Sequence, residues 1–229
     1  MRKVAILSPS YDGKVACNFA ISMAEIYRQV HQHKMEVMLN FWMYEALLQK
    51  ARNNLFADAM AAGADDIVFI DCDQSFSAET FFRILSHPVD VVGVPVRMKT
   101  EEQRYNIRPE DPMRHKFHPE LGLLEVENIG TGFLRLSRKA MQAIWDKSQP
   151  YNDGGAMRRM ICDLQIIDGG IISEDIQICN KLRAAGMHVY VDFLETAKHF
   201  GTKCFEGDYK AQYMLNFAKE KKTPPRRSL

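Results

Sequence analysis

The sequence lacks the cysteine pattern of a disulfide-rich or zinc-binding protein. Its five cysteines are odd in number, widely spaced and include no C-x-x-C pair: Cys17, Cys72, Cys162, Cys179 and Cys204. Disulfide frameworks and structural zinc sites both depend on paired, regularly spaced cysteines. The pattern therefore favours reduced thiols and a cytoplasmic location.

Long apolar runs and a strong net charge are also missing. No apolar run approaches the roughly 20 residues that a membrane-spanning helix needs. The basic N-terminus, MRKVAILSPSYDG, has only about five apolar residues before Ser8 and Pro9, too few for a signal peptide. The formal net charge is +1, so the molecule has no overall field that attracts nucleic acid or an anionic membrane. We expect no membrane span.

The sequence does contain enough apolar residues for a sizeable core. It has 229 residues, of which 46% are hydrophobic and 26% are charged. These values predict one globular domain over residues 1–215. Residues 216–229 include the basic, proline-containing segment KEKKTPPRRSL and predict a disordered tail.

The first half of the chain alternates between strand and helix patterns. Apolar runs predict strands at residues 4–7, 35–41, 67–70 and 89–96. Helical spacing of apolar residues predicts helices at residues 15–30, 47–59 and 77–86. This order, with nearly continuous apolar strands, is typical of an α/β fold with a parallel sheet and helices on both faces. Ligands of such sheets bind outside the carboxyl ends of the strands.

The second half of the chain predicts a less regular arrangement. Two long loops are predicted at residues 97–120 and 151–170. Two short strands are predicted within residues 122–137, and a strand with one solvent-exposed face at residues 187–193. Helices are expected to follow Ser137 and Ser173, with these serines as their caps, as Ser77 is expected to cap the helix at residues 77–86.

Two carboxylates follow the strand at residues 67–70. Asp71 and Asp73 stand two positions apart, so their side chains can share a face. Like charges this close repel unless a cation lies between them, and Mg²⁺ or Mn²⁺ prefers oxygen ligands and leaves positions open for phosphate oxygens. One interpretation of the pair is therefore a metal held against a substrate diphosphate. The alternative is a polar turn that ends the strand, with Asp73 capping the next segment.

Three further features have both a functional and an ordinary interpretation. Glu174 and Asp175 follow Ser173, where acidic residues also complement a helix dipole. His199 follows the last predicted strand, where a lone histidine is often polar surface. The G-T-G segment at residues 130–132 permits close approach of a ligand to the backbone, or forms a tight hairpin turn.

Taken in order, these elements resemble a known family. The segments GADDIVFIDCDQSF, GTGFLRLSRKAM and EDIQICNKLRAAGMHVYVDFLETAKHFG resemble nucleotide-sugar glycosyltransferases with the GT-A fold, most of all family 2 enzymes. The resemblance extends from Lys3 to about Tyr209. It implies a Rossmann-like single α/β domain of the GT-A type, with a mostly parallel central sheet flanked by helices and a small second sheet. It also implies a hexosyltransferase activity.

The resemblance also implies binding roles for particular residues. Asp71, Asp73 and His199 would hold a divalent cation, Mn²⁺ or Mg²⁺. Nucleotide-sugar contacts would come from Ser8, Pro9, Tyr11, Arg52, Asp71 and Lys203, with Lys203 at the diphosphate. The Gly130, Thr131 and Gly132 turn would border the transferred sugar and the acceptor.

The resemblance implies an inverting displacement in which Asp175, or alternatively Glu174, is the general base for an acceptor hydroxyl. The ending HFGTK also resembles the His-Phe-x-Gly and lysine ending of some retaining transferases, so the stereochemical outcome stays open. The turn SPSYDGKV lacks the usual family 2 form, which leaves the nucleobase open.

Two other functions remain as alternatives. A nucleotidyltransferase acting on a sugar phosphate can share the fold type, although SPSYDGKV has only one glycine where those enzymes carry a glycine-rich loop. A non-catalytic nucleotide-sugar-binding module is the other alternative. The acceptor is a hydroxyl compound, which leaves a glycan, a lipid-linked sugar and modified DNA as options. Basic and aromatic residues in residues 97–120 suit a phosphate-bearing acceptor, or equally a solvated lid.

Overall fold

The computed structural model describes residues 1–108 and 116–220. The helices in these ranges are α1 (Cys17–Gln29), α2 (Leu48–Ala61), α3 (Ala78–Ser86), α4 (Arg138–Lys147), α5 (Glu174–Ala184) and α6 (Tyr209–Glu220). The strands are β1 (Arg2–Ser10), β2 (Met35–Met43), β3 (Asp66–Ile70), β4 (Gln74–Ser75), β5 (Val91–Gly93), β6 (Ile107–Arg108), β7 (Lys116–His118), β8 (Leu123–Val126), β9 (Asn128–Ile129), β10 (Phe133–Ser137), β11 (Pro150–Asp153), β12 (Ala156–Arg159), β13 (Gln165–Ile167), β14 (Gly170–Ile172), β15 (Val189–Asp192), β16 (Lys198–Phe200) and β17 (Cys204–Phe205).

A mostly parallel sheet forms the centre of the molecule. Its strand order is β2-β1-β3-β10-β5-β15-β8-β7. β1 pairs in parallel with β2 and β3, and β5 with β15, while β10 runs antiparallel between β3 and β5. The predicted α/β class with a mostly parallel central sheet is confirmed.

The antiparallel strand β10 brings two distant segments together. In its register Phe133 lies opposite Ile70, so β10 begins where β3 ends. The backbone N–H of Asp71 donates to the carbonyl oxygen of Gly132 at 3.0 Å, which continues this pairing beyond the strands. The acidic pair after β3 and the G-T-G turn before β10 are therefore neighbours at one edge of the sheet.

Side chains of the central strands alternate between the two faces, as a period of two requires. Val4 and Ile6 of β1 pack in a cluster with apolar side chains of α1 and α3. Ala5 and Leu7 pack in a second cluster with side chains of α2, α4 and α5. Both faces of β1 are fully buried, which explains why its sequence reads as a continuous apolar run. The prediction of helices on both faces is confirmed.

Two of the three predicted serine caps make the expected bond. The Ser77 hydroxyl accepts from the Thr80 N–H at 3.1 Å, and the Ser137 hydroxyl accepts from the Ala140 N–H at 3.2 Å. Ser173 does precede α5, but its hydroxyl contacts the Asp175 carboxylate instead of accepting from the helix backbone. The first turn of α5 is thus organised around Asp175.

Several predictions for the second half are wrong. Residues 151–170 are not a loop, because the hairpins β11–β12 and β13–β14 begin there, and Gly154 and Gly155 form the turn of the first. The tip of the second hairpin has positive φ at Asp168 (50°) and Gly169 (78°). Residues 122–137 form three strands, β8, β9 and β10, instead of two.

Two more corrections concern residues 97–120 and 187–193. The first segment includes β6 and the edge strand β7, and its residues 109–115 lie outside those that the structure describes. The second was expected to have a solvent-exposed face, and this holds only in part, because His188 is exposed and Tyr190 half-buried, whereas Asp192 of β15 is buried. Asp192 of β15 is fully buried because Arg83 and His87 bind its carboxylate, at 2.7 and 2.8 Å respectively.

A small second sheet, ordered β17-β16-β4, lies beside the end of β3. It pairs His199 of β16 with Gln74 of β4, which brings the C-terminal histidine to the acidic segment. The predicted small second sheet is confirmed. The expected domain boundary at residues 215 and 216 falls within α6, and residues 221–229 lie outside the described part of the chain. Among the described helices, none has the length and apolar character to cross a membrane.

Candidate functional site

Two adjoining cavities open at the carboxyl edge of the central sheet. The first has a volume of about 320 Å³ and contains Asp71, the G-T-G turn and Asp175 in its wall. The second has a volume of about 290 Å³ and is lined by Pro9 and Tyr11 after β1, together with residues 71–73. Asp71 and Leu48 border both cavities. All of the predicted site residues except Ser8 and Lys203 therefore line one bipartite depression.

Asp71 is bound to a buried arginine. Its Oδ1 lies 3.0 Å from Nη2 of Arg52, and Nη1 of Arg52 lies 2.7 Å from Oε1 of Glu174. Burial alone would lower the pKa of Arg52, but the Asp71 carboxylate and, less strongly, Glu174 outweigh that effect and raise it. Arg52 therefore carries a permanent charge that links the acidic segment after β3 to the start of α5.

Asp73 contacts two groups from later in the chain. Nζ of Lys99 lies 2.5 Å from its Oδ2, and Nε2 of His199 lies 3.2 Å from its Oδ1. The second contact is within ion-pair distance but its angles do not make a hydrogen bond, so buried Oδ1 has no hydrogen-bond partner among the described residues. Burial alone would raise the pKa of Asp73, but His199 and Lys99 outweigh it and hold the pKa below its ordinary value.

The orientation of His199 is fixed by the backbone. Its Nδ1 lies 3.0 Å from the carbonyl oxygen of Arg97, which only accepts, so Nδ1 carries the proton. In the neutral ring Nε2 then carries a lone pair, and it lies 3.2 Å from Oδ1 of Asp73. Histidines that bind metals commonly donate their other ring N–H in this way.

The structure brings together only part of the predicted metal site. Asp73 and His199 are in contact, whereas Asp71 turns its Oδ1 to Arg52. Within residues 1–108 and 116–220, no group of three His, Cys, Asp or Glu side chains is arranged closely enough to hold a metal ion. The expected three-ligand set remains a prediction.

The two acidic residues at the start of α5 have different surroundings. Oδ2 of Asp175 accepts from Nδ2 of Asn106 at 2.6 Å, and Oδ1 accepts from the N–H of Ile176 at 2.8 Å. Glu174 instead pairs with Arg52. Both carboxylates line the first cavity. Asp175 is therefore the one held by neutral donors, which leaves its charge unpaired by a cation among the described residues.

The G-T-G turn is shaped by close neighbours. A Cβ at Gly130 would lie 2.5 Å from Nδ2 of Asn106. A Cβ at Gly132 would lie 2.5 Å from Nε2 of Gln74 and 3.1 Å from Oδ2 of Asp71. A side chain at either position would displace these polar side chains from their places in the cavity wall. Thr131 between them is buried and also lines the first cavity.

The predicted nucleotide-binding residues are only partly gathered at the cavities. Pro9 and Tyr11 line the second cavity, and Arg52 lines the first. Ser8 is fully buried, and its hydroxyl has no hydrogen-bond partner in the described part of the chain. Lys203 does not line either cavity, because its Nζ binds Glu101 at 2.8 Å on an exposed loop.

The first cavity is also lined by residues that the sequence did not place in the site, among them Gln74, Lys99 and Asn106. Gln74 directly follows the acidic pair, so its position in the sequence could have identified it as a site residue. Lys99 and Asn106 belong to the segment interpreted as a lid or acceptor loop. The pairing of β6 with β9 brings Asn106 to Gly130, whose N–H donates to the Asn106 carbonyl at 2.8 Å.

Comparisons with known proteins identify similar folds. A197 from STIV is 16% identical, with 88% of this chain and 86% of that chain covered and a TM-score of 0.53. The S. aureus TarS fragment in complex with UDP-GlcNAc is 14% identical, with 92% of this chain and 61% of that chain covered and a TM-score of 0.48. A mutant of Drosophila β-1,4-galactosyltransferase 7 in complex with manganese, UDP-Gal and xylobiose is 11% identical, with 100% and 82% covered and a TM-score of 0.47.

These likenesses concern the fold. No protein-family model matches the sequence, and no curated protein matches it. Of the three structures, only A197 has a TM-score above 0.5, and at 16% identity it shows a shared fold and no more. The GT-A-like α/β fold predicted from the sequence is confirmed at this level. Activity has to be argued from the residues of the site.

Proposed function

We propose that the protein is a divalent-metal-dependent glycosyltransferase. It transfers a sugar from a nucleotide-diphosphate-sugar donor to a hydroxyl group of an acceptor, with inversion at the anomeric carbon. One observation carries the proposal: the first cavity is lined both by a carboxylate held by neutral donors, Asp175, and by Asp71 and His199. A displacement needs a base for the entering hydroxyl and positive charge for the departing diphosphate.

The two cavities suit the two halves of the donor. The second cavity is lined by Pro9 and Tyr11 and suits the nucleoside, with the exposed Tyr11 ring available to stack on a base. Asp71 borders both cavities, so the diphosphate is placed at their junction. The sugar then enters the first cavity, beside Asp175.

The residues at the junction fit a divalent cation. Asp73 Oδ1 and Nε2 of His199 lie 3.2 Å apart, and a cation bound here would take both atoms as ligands. Asp71 would complete the ligand set with a carboxylate oxygen. When bound, Mn²⁺ or Mg²⁺ supplies positive charge to the leaving diphosphate.

The chain's own residues perform the remaining steps. Asn106 and the Ile176 N–H orient Asp175. Asp175 takes the proton of the acceptor hydroxyl as that oxygen bonds to the anomeric carbon, and the bond from this carbon to the diphosphate oxygen breaks. Lys99 and Arg52 add positive charge at the diphosphate end of the cavity. The acceptor is a glycan, a lipid-linked sugar or another hydroxyl compound such as modified DNA.

A thermal-shift screen of UDP, GDP, CDP, ADP and dTDP, with and without MnCl₂, tests donor binding. We expect one nucleotide to stabilise the protein only when Mn²⁺ is present. Sugar nucleotides of that base are then assayed for release of the nucleoside diphosphate. Stabilisation by none of the five contradicts the proposal. Release of pyrophosphate from a nucleoside triphosphate and a sugar phosphate would instead establish a nucleotidyltransferase.

A further inference from the structure

Gln74 is a buried amide that the protein itself does not satisfy. It is the first residue of β4, directly after the acidic pair, and its side chain is fully buried. Neither Oε1 nor Nε2 has a hydrogen-bond partner among the described residues. Gln74 nevertheless lines the first cavity. A buried amide with both ends unpaired destabilises a fold. Because Gln74 lies in the cavity wall, a bound ligand can supply the missing hydrogen-bond partners.

The neighbouring backbone places this amide in the cavity wall. Gly132 stands beside it, and a Cβ there would lie 2.5 Å from Nε2 of Gln74. The same Cβ would lie 3.1 Å from Oδ2 of Asp71. The amide of Gln74 and the carboxylate of Asp71 thus lie beside the same glycine in the lining of the first cavity.

The chemistry of the amide restricts its ligand. Oε1 needs a donor and Nε2 needs an acceptor. Phosphate oxygens that carry no proton only accept, so a diphosphate leaves Oε1 unsatisfied. A nucleobase offers both groups, but Gln74 does not line the cavity with Pro9 and Tyr11. Sugar hydroxyls both donate and accept, and they satisfy both ends of the amide.

We propose that Gln74 binds hydroxyl groups of the transferred sugar and thereby determines which donor sugar the protein accepts. This inference rests on the proposed function and deepens it. A site built to bond a substrate hydroxyl discriminates against analogues that lack it, because its buried polar groups are then left unpaired.

Replacement Gln74→Leu removes both amide groups at similar volume. The proteins are assayed with UDP-glucose, GDP-mannose and dTDP-glucose, and titrated with UDP, GDP and dTDP in MnCl₂. We expect kcat/KM with the accepted sugar nucleotide to fall about 10- to 100-fold, the loss of two neutral hydrogen bonds. The dissociation constant of the nucleoside diphosphate should change by less than about twofold, because this ligand has no sugar for Gln74 to bind. Thermal stability should be unchanged or higher, because the unpaired amide is gone.

Gln177 provides a matched control. It is also a buried glutamine whose Nε2 lacks a partner in the described ranges, but it does not line either cavity. Gln177→Leu should leave kcat/KM unchanged. If Gln74→Leu does not fold, Gln74→Asn, which shortens the amide by one methylene, serves in its place with the same expectation.

A series of monodeoxy donors completes the test. In the wild type, removal of one particular hydroxyl should lower kcat/KM, and in Gln74→Leu the same removal should have no further effect. Full kcat/KM in Gln74→Leu, or undiminished sensitivity to every deoxy position, overturns the inference while leaving the proposed function intact. A wild type that binds none of the nucleotides overturns both.

Discussion

Nε2 of His199 lies 3.2 Å from Oδ1 of Asp73, and both atoms are acceptors when the ring is neutral. The other ring nitrogen fixes the tautomer. Nδ1 must carry the proton, because it donates to the Arg97 carbonyl oxygen at 3.0 Å. Two facing acceptors repel unless a proton or a metal cation lies between them. The proposed metal site depends on the second of these, because a cation here would use Asp73 and His199 while Asp71 is turned towards Arg52.

The first prediction is that His199→Ala loses metal binding. MnCl₂ should raise the melting temperature of the wild type, and the apparent metal affinity should fall about tenfold or more in the variant. Differential scanning fluorimetry over a range of MnCl₂ concentrations measures this. His188, which is exposed and pairs with Glu125 at 2.8 Å, gives the control His188→Ala. Equal stabilisation of both variants by Mn²⁺ would remove His199 from the ligand set.

The second prediction distinguishes the two acidic residues at the start of α5. Asp175→Asn should lower the rate of sugar transfer about 100- to 10,000-fold, because the asparagine cannot take the acceptor proton. Nucleotide and metal binding should persist, since Asp175 contacts Asn106 and its own helix and not the Asp71 side chain. Steady-state transfer assays beside calorimetric titrations measure the two quantities separately.

Glu174→Gln is the matched variant for that experiment. Its carboxylate is bound to Arg52 at 2.7 Å, so the change should affect stability more than the chemical step. If Glu174→Gln abolishes transfer while Asp175→Asn retains it, the base assignment is reversed. That result would also mean that Glu174 leaves Arg52 when the acceptor binds.

The third prediction concerns the buried guanidinium of Arg52. Arg52→Met should lower the free energy of unfolding by about 3 kcal/mol, because Asp71 and Glu174 lose their shared counter-charge in a mostly buried position. Urea unfolding followed by circular dichroism measures the change. The surface pair of Arg28 and Glu25 gives the control: Arg28→Met should cost less than about 0.5 kcal/mol. A similar loss in both variants would show that the Arg52 ion pairs stabilise the fold no more than an exposed ion pair does.

Local patterns in the sequence were sufficient for the first half of the fold. The central strands β1 and β3 are buried on both faces, so their apolar runs are unbroken, and Ser77 caps α3 as its position indicates. The hairpins within residues 151–170 were missed because paired glycines mark a turn without showing whether strands flank it. Their exposed side chains, such as Ile166 and Ile171, give no core-facing alternation.

The site could be predicted only where one short segment carries the signal. Asp71, Asp73 and Asp175 stand in recognisable local patterns, and the structure places all three at the cavities. Lys99 and Asn106 reach the site through long-range pairing, which no local spacing encodes. Arg52 was expected at the nucleotide, yet its ion pairs with two carboxylates depend on three separate elements of the chain.

The last prediction concerns which lysine, Lys99 or Lys203, binds the diphosphate. The family resemblance implies Lys203, but Lys203 binds Glu101 on an exposed loop, whereas Lys99 lies 2.5 Å from Asp73 and lines the first cavity. If a metal takes Asp73, the Lys99 ammonium is released towards the phosphates. Lys99→Met should therefore weaken binding of the nucleoside diphosphate about tenfold in MnCl₂, the value of one charge-assisted hydrogen bond.

The same substitution should strengthen binding of Mn²⁺ alone, because Lys99 no longer competes for the Asp73 carboxylate. Lys203→Met is the matched control, and both affinities should stay within about twofold of the wild type, since its ion pair with Glu101 is exposed and contributes little. Isothermal titration of each variant, first with MnCl₂ and then with the nucleotide selected by the thermal-shift screen, measures both. Weaker nucleotide binding in Lys203→Met, with Lys99→Met unaffected, would mean that the 201–205 loop closes over the diphosphate and that Lys203 has the role implied by the family resemblance.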